Sequence, residues 1–335
     1  MSRKILVTGG AGFIGSNFIH YLAEKHPQDE IINLDKLTYA GNLDNLKGIA
    51  DRPNYRFVRG DIADLELVDG LFQEGLDVAV NFAAETHVDR SIGDPDDFIR
   101  TDIYGTYTLL EAARRHGVGC FVQISTDEVY GSVEEGFSNE RDPLMPRNPY
   151  AASKAGADRL AYSYFATYDL PVIITRASNN FGPYQYPEKV IPLFVTNALD
   201  SIPLPLYGDG LNVRDWLFVR DHCSAIDLLI SRGEKGETYN IGGGNLLTNR
   251  ELTARILEFL QLPETLIRRV RDREGHDRRY ALDSSKLKKL GWEPEADFAA
   301  ELETTIAWYR DNRWWWEKIK SGEFKEYYKK QYGNR

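Results

Sequence analysis

A glycine-rich turn near the N-terminus restricts what this chain can fold into more than any other feature. An apolar run at residues 5–8 leads into it, and glycines follow at positions 9, 12 and 15. In a strand–turn–helix unit, Gly9 permits the tight turn, Gly12 lets the backbone approach a pyrophosphate, and Gly15 allows the helix to pack closely on the strand. The phosphates then face the free N–H groups at the start of the helix. This spacing predicts a dinucleotide-binding βαβ unit.

An acidic residue at the end of the second strand pattern indicates which dinucleotide is bound. Asp35 stands 20 residues beyond Gly15, where a carboxylate binds both ribose hydroxyls and repels a 2′-phosphate. NAD is therefore favoured over NADP, although the neighbouring Lys36 is a cation that can tolerate the extra phosphate. Asp61 and Ile62, after the third strand pattern, suit a contact to the adenine edge. The alternative for Asp61 is a helix N-cap.

Short β-branched runs alternate with segments of helical periodicity over the first half of the chain. This alternation predicts βαβ units and a parallel sheet with helices on both faces, a Rossmann-type doubly wound α/β fold. After residue 177, prolines and glycines cluster, which predicts a smaller mixed α/β C-terminal domain. We expect an NAD-binding domain of residues 1–180 together with about 215–241, and a substrate-binding domain of residues 181–214 and 242–335. The predicted strands are Lys4–Thr8, Glu30–Asp35, Tyr55–Arg59, 78–82, 120–125, 172–176 and Thr238–Ile241, and the predicted helices include 12–25, 98–116, 150–168 and 221–232.

The composition limits the classes of partner. Acidic residues outnumber basic ones by 51 to 41, and the formal net charge of −10 argues against general binding to nucleic acid or anionic membranes. This net charge does not exclude a local basic pocket that binds a small anion. The 2 cysteines are far apart and the 6 histidines show no ligand spacing, so neither a disulfide framework nor a metal site is expected. No apolar stretch approaches the roughly 18 residues that span a bilayer, and we expect a cytoplasmic protein.

A tyrosine and a lysine four residues apart form the candidate catalytic pair. Pro149 suits the first position of a helix, on which Tyr150 and Lys154 lie one turn apart on the same face. The lysine can bind the nicotinamide ribose and lower the pKa of the tyrosine, so that a phenolate takes a hydroxyl proton as hydride leaves for NAD. Such pairs are common by chance. The dinucleotide turn before it, and Ser125 at the end of a strand pattern, favour the catalytic interpretation.

Further motifs resemble one family along nearly the whole chain. The glycine turn and the Tyr150–Lys154 pair resemble the extended short-chain dehydrogenase/reductase superfamily. Asp127-Glu128 narrows the resemblance to its nucleotide-sugar 4,6-dehydratases, because epimerases and decarboxylases generally lack this pair and GDP-mannose dehydratases have Ser-Glu instead. In particular, the chain resembles the dTDP-glucose 4,6-dehydratase family. The segments that carry this resemblance are 35–42 (DKLTYAGN), 84–91 (AETHVDRS), 125–131 (STDEVYG), 178–184 (SNNFGPY), 187–189 (PEK), 214–216 (RDW) and 275–280 (GHDRRY).

The resemblance implies a lyase of deoxysugar biosynthesis, such as the rhamnose pathway, that dehydrates dTDP-glucose to dTDP-4-keto-6-deoxyglucose. Tyr150 takes the C4 hydroxyl proton while hydride passes from C4 to NAD, and Thr126 hydrogen-bonds that oxygen. Glu128 then takes the C5 proton and protonated Asp127 donates to the departing C6 hydroxyl, since burial and mutual repulsion push the pKa values of neighbouring carboxyls apart. Hydride returns to C6, so tightly bound NAD is regenerated. The implied catalytic residues are Thr126, Asp127, Glu128, Tyr150 and Lys154.

The resemblance also assigns binding residues. The residues implied at NAD are Gly9, Gly12, Phe13, Ile14, Gly15, Asp35, Lys36, Leu37, Thr38, Asp61, Ile62, Phe82, Ala83, Ala84, Thr86, Thr101, Ser125, Tyr150, Lys154 and Asn180. The residues implied at the nucleotide sugar are Thr86, His87, Thr126, Asn179, Lys189, Val190, Pro205, Tyr207, Arg214, Asn249, Arg273 and His276. The chain departs from the family at Glu274, where proline is usual, and this can alter the loop over the nucleotide.

Several alternatives stay open at this point. A UDP-glucose 4,6-dehydratase shares these motifs, a nucleotide-sugar 4-epimerase or decarboxylase would use only Tyr150 and Lys154, and a dinucleotide-sensing protein would use neither. The resemblance implies a homodimer in which helices 98–116 and 150–168 form a four-helix bundle. The last 28 residues hold 4 of the 6 tryptophans. We interpret them as a C-terminal helix that packs its aromatics on the second domain, with a partner surface as the alternative.

Overall fold

The computed structural model describes residues 2–332, apart from the side chains of Glu323, Tyr327 and Lys330. Met1 and residues 333–335, which end the predicted second domain, lie outside the described residues. The strands of the described part, in chain order, are β1 (Lys4–Thr8), β2 (Glu30–Asp35), β3 (Tyr55–Arg59), β4 (Leu76–Asn81), β5 (Val118–Thr126), β6 (Val172–Ala177), β7 (Asn179–Phe181), β8 (Leu204–Tyr207), β9 (Val213–Phe218), β10 (Thr238–Ile241), β11 (Leu246–Thr248) and β12 (Ile267–Val270).

A parallel sheet of seven strands forms the centre of the fold, in the order β10-β6-β5-β4-β1-β2-β3. This order confirms the predicted Rossmann-type doubly wound fold. The order reverses between β1 and β4, and ligands of open α/β sheets bind outside the carboxyl ends of the strands at such a switch point. The strand predicted at 78–82 is displaced to 76–81, so Phe82 lies just beyond it.

Helices cover both faces of this sheet. Apolar side chains of α1 and α8 pack on one face and those of α2, α5 and α6 on the other, so the central strands are buried on both sides. The helices are α1 (Phe13–Lys25), α2 (Leu65–Gln73), α3 (Val88–Gly93), α4 (Asp96–Phe98), α5 (Thr106–His116), α6 (Pro149–Tyr168), α7 (Val190–Leu199), α8 (Val219–Arg232), α9 (Asn249–Phe259), α10 (Ser285–Lys288), α11 (Phe298–Asp311), α12 (Arg313–Ile319) and α13 (Glu323–Tyr332), with short 3-10 turns at Leu43–Leu46, Asp127–Tyr130 and Glu264–Leu266.

The segment predicted as one helix at 98–116 contains a π-helical turn. This turn spans Ile99–Gly105 and joins α4 to α5. It carries Asp102, whose buried carboxylate accepts hydrogen bonds from the Glu85 backbone N–H (2.9 Å) and from the Ser153 hydroxyl (2.5 Å). Wide turns of this kind often occur at functional sites, and this one holds an acidic side chain in the interior.

A second hydrophobic core lies beyond the central sheet. It joins α7, α9 and α11 to a three-stranded sheet in the order β11-β9-β7 and to the pair β12-β8. The tryptophan-rich tail packs into this core, as predicted: Trp315 and Trp316 are each 1% exposed, whereas Trp314 is 42% exposed on the surface. Among the described residues, no helix combines the length and apolar character needed to cross a membrane.

Candidate active site

The glycine turn lies at the switch point between β1 and β4. Gly9 has a φ of +66°, and a Cβ there would stand 2.7 Å from the backbone nitrogen of Ala83. A Cβ on Gly15 would collide with the carbonyl oxygen of Gly9. Helix α1 starts after Gly12 with no side chain capping its first N–H groups. Because these residues line a cleft, the positive end of the helix is available to a pyrophosphate.

The acidic residue at the end of β2 is held in a fixed orientation. Asp35 accepts hydrogen bonds from the backbone N–H of Ala11 (2.9 Å) and of Leu37 (2.7 Å), and burial raises the pKa of its carboxyl. Lys36 binds the carboxylate of Asp61 at 2.9 Å. The cation that can favour a 2′-phosphate is thus already paired, which supports the preference for NAD.

Asp61 has a different local role from the alternative considered for it. Its carboxylate accepts the backbone N–H of Ala63 at 2.9 Å, while the cap of α2 is Asp64. The N-cap interpretation of Asp61 is therefore wrong. Its contact with Lys36 and its position in the cleft wall leave it beside the candidate adenine site.

One cleft brings together nearly all residues implied at NAD. Leu37 is the exception: it lies outside the described lining, in a left-handed conformation with φ of 56°, and its N–H orients Asp35. The predicted residues that line the cleft are Gly9, Gly12, Phe13, Ile14, Gly15, Asp35, Lys36, Thr38, Asp61, Ile62, Phe82, Ala83, Ala84, Thr86, Thr101, Ser125, Tyr150, Lys154 and Asn180.

Other lining residues were not predicted. Some stand inside or beside the quoted motifs, so position in a motif is the signal that could have found them: Tyr39, Ala40, Gly41, Glu85, Ser178, Gln185, Tyr186 and Glu188. Leu34, Ile124 and Ala177 directly precede quoted motifs and share this signal, whereas Gly60 and His222 stand beside none of them. Glu188 is buried and accepts a hydrogen bond from the Tyr39 hydroxyl at 3.0 Å, a contact between distant segments that spacing along the chain does not reveal.

The residues of this cleft fit a dinucleotide. The glycine turn leaves no room for side chains near the candidate pyrophosphate, and the small side chains of Ala83 and Ala84 line the path beside it. The buried hydroxyl of Ser125 has no hydrogen-bond partner among the described residues. An unpaired buried donor in the cleft wall is a group that a ligand can satisfy.

Helix α6 positions Tyr150 and Lys154. The side chain of Asn148 caps the helix by accepting the N–H of Ala151 at 2.8 Å, and Pro149 occupies the first turn, as predicted. The buried ammonium of Lys154 donates to the carbonyl of Ile124 at 2.7 Å. Both side chains reach the cleft wall from the same face of the helix.

The electrostatics of Tyr150 correct one expectation. Burial raises the pKa of its phenol well above the usual value, and the charges of Glu128 and Asp102 raise it further, while a hydrogen bond from Thr126 opposes them. The protein alone therefore does not favour the expected phenolate, and the lowering of this pKa by Lys154 stays a prediction. Burial also raises the pKa of Asp102, to about 6, against the charge of Lys154. The positive charge of Lys154 thus acts on Asp102, the buried acid whose charge raises the pKa of Tyr150.

Thr126, Asp127 and Glu128 follow one another at the end of β5. Thr126 donates to Asp127 Oδ1 at 3.1 Å and accepts the N–H of Glu128 at 3.3 Å. Burial raises the pKa of Asp127 well above its usual value, and the charge of Glu128 adds to the shift. Glu128 Oε2 accepts the hydroxyl of Tyr280 (3.3 Å) and the amide of Asn148 (3.4 Å). Two adjacent carboxyls thus have different environments, as acid and base roles require.

Basic residues implied at the nucleotide sugar surround Glu128. Lys189 donates to the carbonyl of Thr86 at 2.5 Å, and Arg214 lies over the ring of Tyr280 at 4.3 Å. The charge of Glu128 acts on Lys189, Arg214 and Arg273, and the Nε of Arg273 has no partner in the described part of the chain. These three cations make a local basic patch in an acidic protein.

His276 does not add a charge to this patch. Burial lowers the pKa of its imidazole to about 4, although Asp272 lies 2.6 Å from Nδ1. His276 is therefore neutral at pH 7 and can recognise a ligand through hydrogen bonds or through its ring, which packs on the edge of Tyr207.

The remaining predicted substrate residues divide into two groups. Thr86, Thr126, Asn179 and Lys189 line the cleft, and the buried Oδ1 of Asn179 has no partner among the described residues. The others lie outside the described lining, on elements that surround it: His87, Val190, Pro205, Tyr207, Arg214, Asn249, Arg273 and His276.

Known proteins similar to this chain share both its sequence and its fold. A model of the family described as GDP-mannose 4,6 dehydratase matches residues 6–305. A dTDP-glucose 4,6-dehydratase of Streptomyces antibioticus is 56% identical over 323 residues, which cover 95% of each chain. The low-salt glycan biosynthesis protein Agl12 of Haloferax volcanii is 55% identical over 305 residues, covering 91% of this chain and 98% of that protein. The crystal structure of DesIV, a dTDP-glucose 4,6-dehydratase of Streptomyces venezuelae with NAD and TYD bound, has a TM-score of 0.93 and 53% identity, covering 94% of this chain and 99% of its own.

Proposed function

This chain belongs to the nucleotide-sugar 4,6-dehydratase family of short-chain dehydrogenase/reductase proteins, and we propose how its residues carry out that chemistry. It is an NAD-dependent lyase that dehydrates dTDP-glucose to dTDP-4-keto-6-deoxyglucose. The observation that carries the assignment of roles is the acid pair at the end of β5. A buried Asp127 with raised pKa stands next to Glu128, and both lie beside Tyr150. A 4-epimerase has no use for this pair.

The residues that we assign to oxidation at C4 are Tyr150, Thr126 and Lys154. Tyr150 takes the proton of the C4 hydroxyl, and Thr126, whose side chain acts to lower the pKa of the phenol, hydrogen-bonds that oxygen. Lys154 offsets the charge of Asp102 and can bind a ribose hydroxyl. NAD, when bound, supplies the hydride acceptor at C4 and the donor at C6. The phenol of Tyr150, whose pKa burial raises, would ionise more readily beside the positive charge of an oxidised nicotinamide.

The residues that we assign to the elimination of water are Asp127 and Glu128. The 4-ketone acidifies the C5 proton, which Glu128 takes as base. Burial, together with the charge of Glu128, raises the pKa of Asp127 and so favours its protonated form, which donates a proton to the departing C6 hydroxyl. Glu128 then returns a proton to C5. The balance of the reaction is the loss of one water from the sugar.

The binding roles extend the proposal to the nucleotide sugar. Lys189, Arg214 and Arg273 balance the negative diphosphate, and Arg214 offers planar paired donors. We assign residues 1–180, with about 215–241, to NAD binding and residues 181–214 and 242–335 to the nucleotide sugar. The cytoplasmic location stays a prediction.

A homodimer is part of the proposal. Helices α5 and α6 and the π-helical turn before α5 expose large apolar side chains that a four-helix bundle would cover. These are Ile99, Tyr104, Tyr107, Tyr162 and Tyr168. Exposed aromatic faces of this kind are typical of protein–protein interfaces.

Turnover of nucleotide sugars tests the function. Incubation with dTDP-glucose should yield the 4-keto-6-deoxy sugar, detected by mass and by the absorbance of the ketone in alkali. Faster turnover of UDP-glucose would assign uridine as the base. An epimerised sugar without loss of water would establish a 4-epimerase, and no turnover of any nucleotide glucose would favour a non-catalytic protein.

A further inference from the structure

A buried hydrogen-bond chain links the tryptophan-rich tail to the glycine turn. The indole N–H of Trp315, on α12, donates to Asn45 Oδ1 at 2.8 Å, and Asn45 Nδ2 donates to the carbonyl of Ala11 at 2.9 Å. Trp315 and Asn45 are each 1% exposed and Ala11 is fully buried. Ala11 stands between Gly9 and Gly12, so the C-terminal helix reaches the turn that holds the candidate pyrophosphate.

The backbone of Ala11 is held from both sides. Its N–H donates to the carboxylate of Asp35, and its carbonyl accepts the side chain of Asn45 and the backbone N–H of Asn42 (2.9 Å). An asparagine amide can point either end at a neighbour. The carbonyl of Ala11 and the indole N–H of Trp315 both favour the orientation that turns Nδ2 toward Ala11 and Oδ1 toward Trp315.

Neighbouring contacts stabilise this chain of hydrogen bonds. The backbone carbonyl of Asn45 lies 2.7 Å from His20 Nε2, and the ring of His20 stacks on Tyr184 at 5.9 Å. Tyr184 packs in turn against the edge of Trp315. Lys318, one helical turn beyond Trp315, binds Asp44 at 2.6 Å. Several contacts besides the Trp315–Asn45 hydrogen bond therefore join the tail to the segment that carries Asn45.

We propose that Trp315 is a positioning residue for the dinucleotide. It acts through Asn45 on the glycine turn and sets the N–H groups that meet the pyrophosphate. This inference rests on the proposed NAD site. It gives the aromatic tail a role in the binding of NAD as well as in the core of the second domain.

Replacement of the indole by a ring without a donor separates the two roles. Trp315→Phe keeps an aromatic ring but leaves Asn45 Oδ1 buried without a donor, so the amide is held only through its bond to Ala11. The loss of a buried hydrogen bond predicts a dissociation constant for NAD about five- to tenfold higher. The affinity for dTDP, measured as a separate probe of the substrate site, should not change.

Two neighbouring tryptophans supply matched controls. Trp316 is equally buried but donates to the carbonyl of Tyr309, away from the glycine turn, and Trp314 donates to Asn312 at the surface. Trp316→Phe should lower the melting temperature and leave the affinity for NAD unchanged. Trp314→Phe should change neither.

Calorimetric titration of NAD into protein freed of nucleotide measures these affinities. Weaker NAD binding in Trp315→Phe alone, at unchanged dTDP binding, supports the inference. Equal affinities in wild type and Trp315→Phe, or an equal loss in Trp316→Phe, would overturn it. If Trp315→Phe does not fold, Asn45→Asp, which removes the donor to Ala11, must show the same loss. A wild type that does not bind NAD would instead refute the proposed function.

Discussion

The hydroxyl of Thr126 donates to Oδ1 of Asp127 over 3.1 Å, and Oδ2 of the same carboxyl meets no hydrogen-bond partner among the described residues. One oxygen is thus anchored while the other is free to hold a proton toward the cleft. Burial and the charge of Glu128 raise the pKa of Asp127. This arrangement is that of a general acid held ready before the substrate arrives.

Asp127→Asn should keep C4 oxidation and lose proton donation. An amide can occupy the same space and accept from Thr126, but it cannot protonate the departing C6 hydroxyl. We expect kcat to fall about 10²- to 10⁴-fold, measured as formation of the 4-keto-6-deoxy sugar. A kcat within twofold of wild type would assign the acid to another group.

The same variant should change how stability depends on pH. The folded-state pKa of Asp127 is raised above its unfolded value, so its contribution to stability is fully present below the unfolded pKa and is lost as pH rises through the folded pKa. Asn does not titrate. We therefore expect the stability of Asp127→Asn relative to wild type, measured as the urea midpoint of unfolding, to be greater at about pH 8 than at about pH 5. A constant difference would contradict the raised pKa.

Glu128→Gln should separate oxidation from elimination. The amide cannot take the C5 proton, so the reduced nicotinamide should accumulate while product forms about 10²- to 10⁴-fold more slowly. Its near-ultraviolet absorbance after rapid mixing with dTDP-glucose measures the accumulation. Glu66→Gln on the exposed side of α2 is the matched control and should behave as wild type. Accumulation at an unchanged rate of product formation would remove Glu128 from the elimination step.

Lys154→Ala should move the pH dependence of C4 oxidation. Asp102 raises the pKa of Tyr150, and loss of the lysine leaves that charge uncompensated. The rate rises with pH as the phenol ionises, so its rising limb should move to higher pH, with about 10²-fold less activity near neutrality. Lys288→Ala, at an exposed position of α10, controls for loss of a lysine. A rising limb at the same pH as in wild type would show that Lys154 does not affect the pKa of Tyr150.

Tyr107→Glu should separate the subunits of the proposed dimer. The substitution places a charge on the exposed aromatic face of α5, where a four-helix bundle would bury it. Light scattering should report a dimer for wild type and a monomer for the variant. Leu211→Glu changes an exposed leucine to an acid away from α5 and α6 and should remain a dimer. A monomeric wild type would refute the bundle.

Local patterns were enough to predict the central sheet. Alternating apolar runs and helical segments placed the strands within two residues of their observed bounds, as at Leu76–Asn81 and Val118–Thr126. The glycine turn and Asp35 were also predictable, because the steric need for glycine and the strand-end carboxylate are local properties. The π-helical turn was not, and the hydrogen bonds that its Asp102 accepts come from Glu85 and Ser153, which lie on other segments of the chain.

Properties set by burial were less accessible to sequence analysis. The lowered pKa of His276 and the raised pKa of Tyr150 arise first from burial, and then from charges on other elements, such as Arg214 for His276 and Asp102 for Tyr150. The contact between Tyr39 and Glu188 likewise joins segments that have no common pattern. Motifs located the cleft, but the charge of each group in it follows from the three-dimensional surroundings.

The π-helical turn at Ile99–Gly105 also determines which changes of length this segment can accept. A π-helical turn holds one residue more than the α-helical turn that it replaces. Deletion of a single residue there would restore a regular α-helical turn and leave the directions of the flanking helices nearly unchanged, because the wide turn absorbs its extra residue within one turn. The aromatic face of α5 would keep its direction, whereas Asp102 would move away from Ser153. A one-residue deletion would thus preserve the course of the helical segment and separate Asp102 from the helix that carries Tyr150 and Lys154.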